Sequence, residues 1–381
     1  LVLTGPFANV SGPFINSAGY VRGIGRFSGG LNNSAAGTLR LEAGNHLIID
    51  QTDRKNAGTI ELAGGTIEYT EWLDNQITGV ITGRGVFRGS SADPGANGLN
   101  NRGVLSFSAG ITDIFGDVNN LATGKIIAAG GSVVTFYDDV INNGVEIRTN
   151  VGSRSVFFGS VTGAGPFTGG GDVELNGDLK PGNSPANVSF GGNLLISPMA
   201  GLDIELAGPT KGAGYDALTV GGTLSLSGGL AVSLLNNFIP QYGQSFEIIT
   251  AGGGIDGAFL AELLPALGGG LYFDVLYEPQ AVNLAVAGVP GDYNFDGAVD
   301  GADYVVWRKT SGQSGVALAA DGNHDGHINT TDFNVWRANF GMSAGSGAGA
   351  PNPSSATTPE PTSLCLLPLA ATFFALARRR T

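Results

Sequence analysis

Apolar and polar residues alternate in short segments through the first part of the chain. Gly58-Thr-Ile-Glu-Leu62, Gly65-Thr-Ile-Glu-Tyr69, Gly103-Val-Leu-Ser-Phe107, Gly124-Lys-Ile-Ile127 and Gly144-Val-Glu-Ile147 each set apolar side chains at every second position. Alternation of this kind predicts strands with one buried face. An Asn pair stands ahead of several of them: Asn32-Asn33, Asn100-Asn101, Asn119-Asn120 and Asn142-Asn143. Asn101 to Asn120 is 19 residues and Asn120 to Asn143 is 23. A loose period near ~20 with strands and turns predicts a β-solenoid, whose coils cannot bury their apolar faces singly and stack to share one core. Asn and Gly are expected at its corners, because both tolerate positive φ.

Composition agrees. Glycine accounts for 64 of 381 residues, and only 13% are charged against 42% hydrophobic. That much apolar material excludes a solvated disordered polymer, and glycine without a three-residue period excludes collagen. Glycine in a helix interior costs about 1 kcal/mol relative to alanine, so long helices are disfavoured. The net charge of −13 makes nucleic acid a poor partner. The single cysteine, Cys365, rules out an intramolecular disulfide framework. Leu1 stands where a Met would open a complete chain and Leu1-Val-Leu-Thr-Gly5 reads as mid-strand, so a fragment of a longer protein is expected.

Residues 1–165 read as solenoid repeats. Residues 166–288 continue in β style with longer strands: 222–234 alternates across a Gly-Gly turn, and 245–249 and 270–277 follow. The stretch with Leu179, Pro181, Gly182, Ser184 and Pro185, the Tyr215-Asp216 turn and the Phe246 strand resemble the end of an autotransporter-type passenger solenoid. A β-helix serves either as a rigid spacer or as the scaffold of a polysaccharide lyase or hydrolase. Asp50, Asp53, Glu61, Glu68 and Glu71 are its candidate acids. A glycosidase needs two carboxylates roughly 5–9.5 Å apart, and the sequence pairs none of them. His46, the one histidine outside the loops described next, reads as a solvent-facing strand residue.

The most specific chemistry begins at Asp292. Asp292, Asn294, Asp296, Gly297, Ala298, Asp300 and Asp303 recur 29 residues later as Asp321, Asn323, Asp325, Gly326, His327, Asn329 and Asp332. Oxygen-bearing side chains at positions 1, 3, 5, 9 and 12, glycine at 6 and a backbone carbonyl at 7 (Ala298, His327) suit a hard cation such as Ca²⁺. Two ions are expected. Val299 and Ile328, at position 8, are expected to pair the two loops as a short β-bridge. Each loop runs into a similar segment, Tyr304-Val-Val-Trp307-Arg308 and Phe333-Asn-Val-Trp336-Arg337. The 18 residues from Asp292 and from Asp321 share eight identities. Tyr304, Trp307, Phe333, Trp336 and Phe340 fall at helical spacing and read as a small core, with Gly341 as a helix stop. Gly291 and 311–315 break any helix ahead of each loop. Loop plus exit helix, twice, with Asp at position 12, resembles a type I dockerin across 291–341. That resemblance implies calcium binding and a cohesin-like partner domain, met through positions 10 and 11. These are Gly301-Ala302 and Thr330-Thr331, and the first pair departs from the family's usual hydroxyl side chains.

Residues 343–358 are a flexible linker by composition. Pro359-Glu360-Pro361, an apolar run over 364–377 and Arg378-Arg379-Arg380 follow. The run is short for a comfortable membrane span, and the arginines would hold the C-terminus in the cytoplasm. The tail, 359–381, resembles a PEP-CTERM sorting signal, which implies export, transient membrane anchoring through a C-terminal hydrophobic helix, and processing by an exosortase-type enzyme.

The expected architecture is therefore mostly β: a right-handed β-solenoid over 1–165 and 166–288, a small α dockerin-like double calcium-loop module over 289–342, the linker, and the sorting tail. The expected role is structural and adhesive, at the cell surface or in the extracellular matrix, with a surface polysaccharide as a further partner. A carbohydrate-active component of a dockerin-mediated, polysaccharide-degrading assembly is the alternative. No catalytic constellation is legible.

Overall fold

The computed structural model describes residues 1–51, 54–89, 98–182, 185–316 and 318–343. The linker from 344 and the tail signals Pro359, Glu360, Pro361, Arg378, Arg379 and Arg380 lie outside the described residues, as do the expected C-terminal helix and Asp53. The chain is mostly β, a solenoid of about 9 turns, with two short helices among the described residues. Solenoid and double-loop segment fall within one contiguous unit.

Three columns of parallel strands run along the solenoid. One stacks Val118–Asn120, Val140–Asn142, Val161–Gly163, Leu179–Pro181, Gly201–Leu206 and Gly229–Leu234. A second stacks Lys125–Ala129, Glu146–Thr149, Phe167–Thr168, Asn187–Phe190, Ala217–Val220 and Ser245–Ala251. The third stacks Val133–Phe136, Arg154–Phe157, Asp172–Leu175, Asn193–Ile196 and Leu224–Leu226. Alternation explains the inward faces. In Thr59–Tyr69, Ile60, Leu62, Ile67 and Tyr69 are buried, while Glu61 and Glu68 lie at the surface side. The two predicted segments there form one strand, bent where Gly64 takes φ +100°.

Like residues stack one coil apart. Phe136 lies 4.8 Å from Phe157, and Phe167 lies 4.5 Å from Phe190, near the inter-strand spacing of a sheet. The asparagines form a continuous buried ladder. Asn16, Asn33, Asn56, Asn75 and Asn101 each donate Nδ2 to the Oδ1 of the next rung at 2.8 Å. Asn120 donates to Asn142 Oδ1 at 2.9 Å, and Asn142 ends the ladder on the Gly165 carbonyl. None of these rungs has positive φ. Asparagine is therefore placed by its amide, which both donates and accepts along the axis, and the expectation of a corner residue chosen for positive φ is corrected. A glycine follows each rung closely: a Cβ on Gly124 would sit 2.3 Å from Asn120 Oδ1.

Ile255–Gly257 and Ala261–Leu263 add the last parallel strands to the third and first columns, and the second column ends at Ser245–Ala251. Ala281–Gly288 pairs with it antiparallel, and Leu271–Glu278 pairs antiparallel with that strand in turn. This cap leads directly into the double-loop segment and its helices, α1 (Gly301–Thr310) and α2 (Thr330–Asn339).

Candidate metal centre

Each loop is built from its carboxylates inward to its own backbone. Asp292 accepts from the Asp296 and Gly297 amides at 3.2 and 2.8 Å; Asp321 accepts from Asp325 and Gly326 at 3.1 and 2.8 Å. Asp303 accepts from the Asn294 and Asp300 amides at 3.0 and 2.7 Å; Asp332 accepts from Asn323 and Asn329 at 3.2 and 2.7 Å. Ala298 N and His327 N each donate to the fifth-position Asp at 2.9 Å. The backbone repeats as well. Phe295 and His324 at position 4 take φ +56° and +59°, and Gly297 and Gly326 at position 6 take +91° and +80°. Left-handed φ is cheap at glycine and unusual elsewhere, so its recurrence at both positions marks one loop conformation used twice.

The ninth position ends the loop and starts the helix. Asp300 and Asn329 are N-caps that accept from Ala302 N and Thr331 N, and Asp303 and Asp332 complete capping boxes. The twelfth carboxylate is thus the third residue of each helix, where negative charge is favoured. Asp303 and Asp332 are fully buried, and Asp292 and Asp321 nearly so. Burial pushes the Asp292 carboxyl above its ordinary range, and the neighbouring Asp303 charge adds to the effect. Asp325 is held below that range, first by its bond from the Asn323 side chain.

No three His, Cys, Asp or Glu side chains converge as a cage among the described residues. Asn294 and Asn323 turn Nδ2 to the fifth-position carboxylates at 2.8 and 2.9 Å, and Asn329 Nδ2 meets the His327 carbonyl at 3.3 Å. Side-chain amide N–H groups thus meet three of the predicted ligand oxygens, besides the backbone amides already on the carboxylates. The donor set itself is all oxygen, from carboxylates, amide carbonyls and the backbone at position 7, which fits a hard divalent cation.

Val299 and Ile328 do not pair with each other as expected. Val299 exchanges bonds with Met342 and Gly341, beyond α2, and Ile328 with Gln313 and Gly312, beyond α1. Each position 8 thus meets the segment that follows the opposite loop's helix. Tyr304, Trp307, Phe333, Trp336 and Phe340 do cluster, with neighbouring centroids 5.0–6.0 Å apart. They are half-buried to exposed, and the buried centre is Tyr293, Ala320 and Ile328.

The turn ahead of Ser245–Ala251 touches both loops, which the sequence did not reveal. The Tyr242 ring lies 4.8 Å from Phe295 and 6.1 Å from His324, the two position-4 residues, and its hydroxyl meets His324 Nδ1 at 3.4 Å. A cavity of about 940 Å³ opens beside it, reaching Asp292 and Asp321.

Three of the solenoid's candidate acids serve cross-coil pairs, and Glu71 lies exposed outside the strands. Asp50 pairs with Arg26 at 2.6 Å, Glu61 with Arg40 at 2.5 Å, and Glu68 with His46 at 3.1 Å. Asp216, buried, accepts from the Ala186 and Glu205 amides, and burial raises its carboxyl to about 6. It lines a groove of about 660 Å³ with Lys180, Asp203 and Glu205.

Comparison with protein-family models and with curated protein sequences returned no match. The resemblances of the loops, of 170–288 and of the tail rest on their own residues.

Proposed function

We propose that this chain is an exported structural and adhesive protein in which a β-solenoid rod presents a two-ion calcium module at its C-terminal end. The observation that carries the reading is the repetition of one loop conformation in two sequences 29 residues apart, with matching carboxylate-to-amide bonds. Asp292, Asn294, Asp296, the Ala298 carbonyl, Asp300 and Asp303 would hold the first ion. Asp321, Asn323, Asp325, the His327 carbonyl, Asn329 and Asp332 would hold the second. The ion supplies positive charge to a segment with seven acids and three bases over 289–342. Calorimetry on the full chain tests this: two calcium ions per chain are expected, and no binding heat at millimolar calcium refutes it.

The dockerin resemblance extends the proposal to a cohesin-like partner. The exposed Gly301, Ala302, Thr330 and Thr331 at the two helix starts support that contact. The PEP-CTERM resemblance adds an exosortase-type processing enzyme and a cell-envelope or extracellular destination after transient insertion in the inner membrane. Mass spectrometry of the native C-terminal peptide tests it: a main form ending near 360 is expected, and one reaching Thr381 refutes processing. The groove of Lys180, Asp203, Glu205 and Asp216 favours the second reading, a carbohydrate-active solenoid. Cleavage of an acidic or neutral polysaccharide, abolished by Asp203→Asn, would replace the structural reading.

A further inference from the structure

Three side-chain-to-backbone hydrogen bonds cross between the two halves of the double-loop segment. Trp307, on the helix that leaves the first loop, donates Nε1 to the Asn329 carbonyl of the second loop at 2.8 Å. Trp336, on the helix that leaves the second loop, donates Nε1 to the Asp300 carbonyl of the first at 2.7 Å. Both acceptors are position 9, the N-cap of the opposite helix. The third bond joins Tyr293, position 2 of the first loop, to the Asp332 carbonyl, position 12 of the second, at 2.6 Å. Its counterpart position is Gly322, where a Cβ would lie 2.4 Å from the Tyr293 hydroxyl. The sequence makes room for this crossing on one side. The position-8 bridges have the same sense, because Ile328 bonds the segment after α1 and Val299 the segment after α2.

We infer that Trp307 and Trp336 are reciprocal positioning residues, each holding positions 9 to 12 of the opposite loop in register for its ion. The inference rests on the calcium reading above. Positions 9 to 12 of a loop are the N-cap and first turn of its helix, so ordering them orders the helix. The indole lies seven residues further along the same helix, about two turns on. An ion in the first loop fixes α1, and α1 sets Trp307 against the N-cap of the second loop. The reverse path runs from the second loop through α2 and Trp336 to Asp300. Loading either loop therefore raises the affinity of the other, and by linkage the effect is reciprocal.

The test isolates one loop at a time in the full chain and titrates calcium by calorimetry. Asp292→Ala leaves the second loop to bind, and Asp321→Ala leaves the first. Trp307→Phe and Trp336→Phe keep an aromatic ring and remove the N–H donor. With only the second loop active, Trp307→Phe is expected to weaken binding about three- to ten-fold more than Trp336→Phe, the range a single hydrogen bond supports. With only the first loop active, the order reverses. General damage from losing an indole affects both variants alike and leaves the ratio near one. The indole N–H resonances supply a readout without any tryptophan substitution, since the chain has three tryptophans. In the Asp292→Ala protein, calcium should shift the Trp307 signal more than that of Trp336, and in Asp321→Ala the opposite. Equal losses, or larger effects on a tryptophan's own loop, overturn the crossed assignment while leaving calcium binding intact. No calcium binding by the unsubstituted chain overturns the calcium reading itself, and this inference with it.

Discussion

Replacing Asn120 by alanine should open the solenoid locally. Asn120 accepts from Asn101 Nδ2 at 2.8 Å and donates to Asn142 Oδ1 at 2.9 Å, in a fully buried column. Alanine removes both bonds. Asn101 Nδ2 keeps the Lys125 carbonyl at 3.2 Å, whereas Asn142 Oδ1 loses its rung donor. One buried acceptor without its partner costs about 1–3 kcal/mol, and the second lost bond adds about 0.5–1.5 kcal/mol. The sum is about 1.5–4.5 kcal/mol, or roughly 10- to 1,600-fold in a local opening equilibrium.

Coils of a solenoid contact only their neighbours, so the loss stays near its origin, and hydrogen exchange read peptide by peptide is the appropriate assay. Protection should fall by that factor in Leu99–Asn101, Val118–Asn120 and Val140–Asn142, and stay unchanged in Leu224–Leu226. Asn119→Ala is the control: its Nδ2 bond to Asn100 Oδ1 is 3.3 Å long and only partly buried, so about 0.5 kcal/mol or less is expected. Equal effects from Asn119→Ala and Asn120→Ala would refute the ladder's role.

Gly270→Ala should weaken the first loop about ten-fold or more by calcium calorimetry in the Asp321→Ala background, because its Cβ at φ +70° would lie 2.6 Å from Asp292 Oδ2 and 2.8 Å from Gly297 Cα; an unchanged affinity would disprove the contact. Tyr242→Ala should speed limited proteolysis at the 289–291 connection several-fold, because it deletes the ring against Phe295 and His324, and an unchanged cleavage rate would show that the ring does not hold the loops. Asp216 gives a pH signature: its folded carboxyl titrates near 6 against 3.8 for the free group, so the folded state binds the proton more tightly. Stability relative to Asp216→Asn should rise as pH falls through 6, level off below 3.8, and differ by up to ~3 kcal/mol across that window in denaturant titrations; a flat difference would refute the buried-charge account.

Alternation along 58–69, the near-20-residue rhythm and the two acidic loops were legible because each is a pattern of residue type at fixed spacing. Asn101 and Asn120 were found by that rhythm, but their reason was not. Positive φ and an axial amide ladder both favour asparagine, and only the coil-to-coil register separates them. Val299 and Ile328 were recognisable as paired positions, while their partners depend on where the chain runs after α1 and α2. Trp307 and Trp336 announced themselves by recurring at one offset from their loops. The acceptor of each indole lies on the other loop, 22 and 36 residues away, where no local rule reaches. Tyr242 carried no signal, since it stands in a turn with no repeat counterpart and acts only through the docked loops.

The end of the rod also explains why the loops sit where they do. A parallel stack presents an unpaired edge at its last coil, onto which another strand can add. Here Ala281–Gly288 adds antiparallel to Ser245–Ala251, and Leu271–Glu278 closes on it. The reversal stops the repeat, because a further parallel coil would meet a strand running the wrong way. The same reversal brings the chain back past Val286 and Gly288 to Asp292, beside Tyr242 and the turn at Gly268, Gly269 and Gly270, all with positive φ. A Cβ on Gly269 would meet the Phe295 carbonyl at 2.8 Å, so this turn approaches the first loop as only glycine allows. The strand that ends the solenoid core thereby delivers the first loop onto the cap. Rod and module are one packed structure at this junction, with Tyr242 between Phe295 and His324 and Gly270 against Asp292 and Gly297.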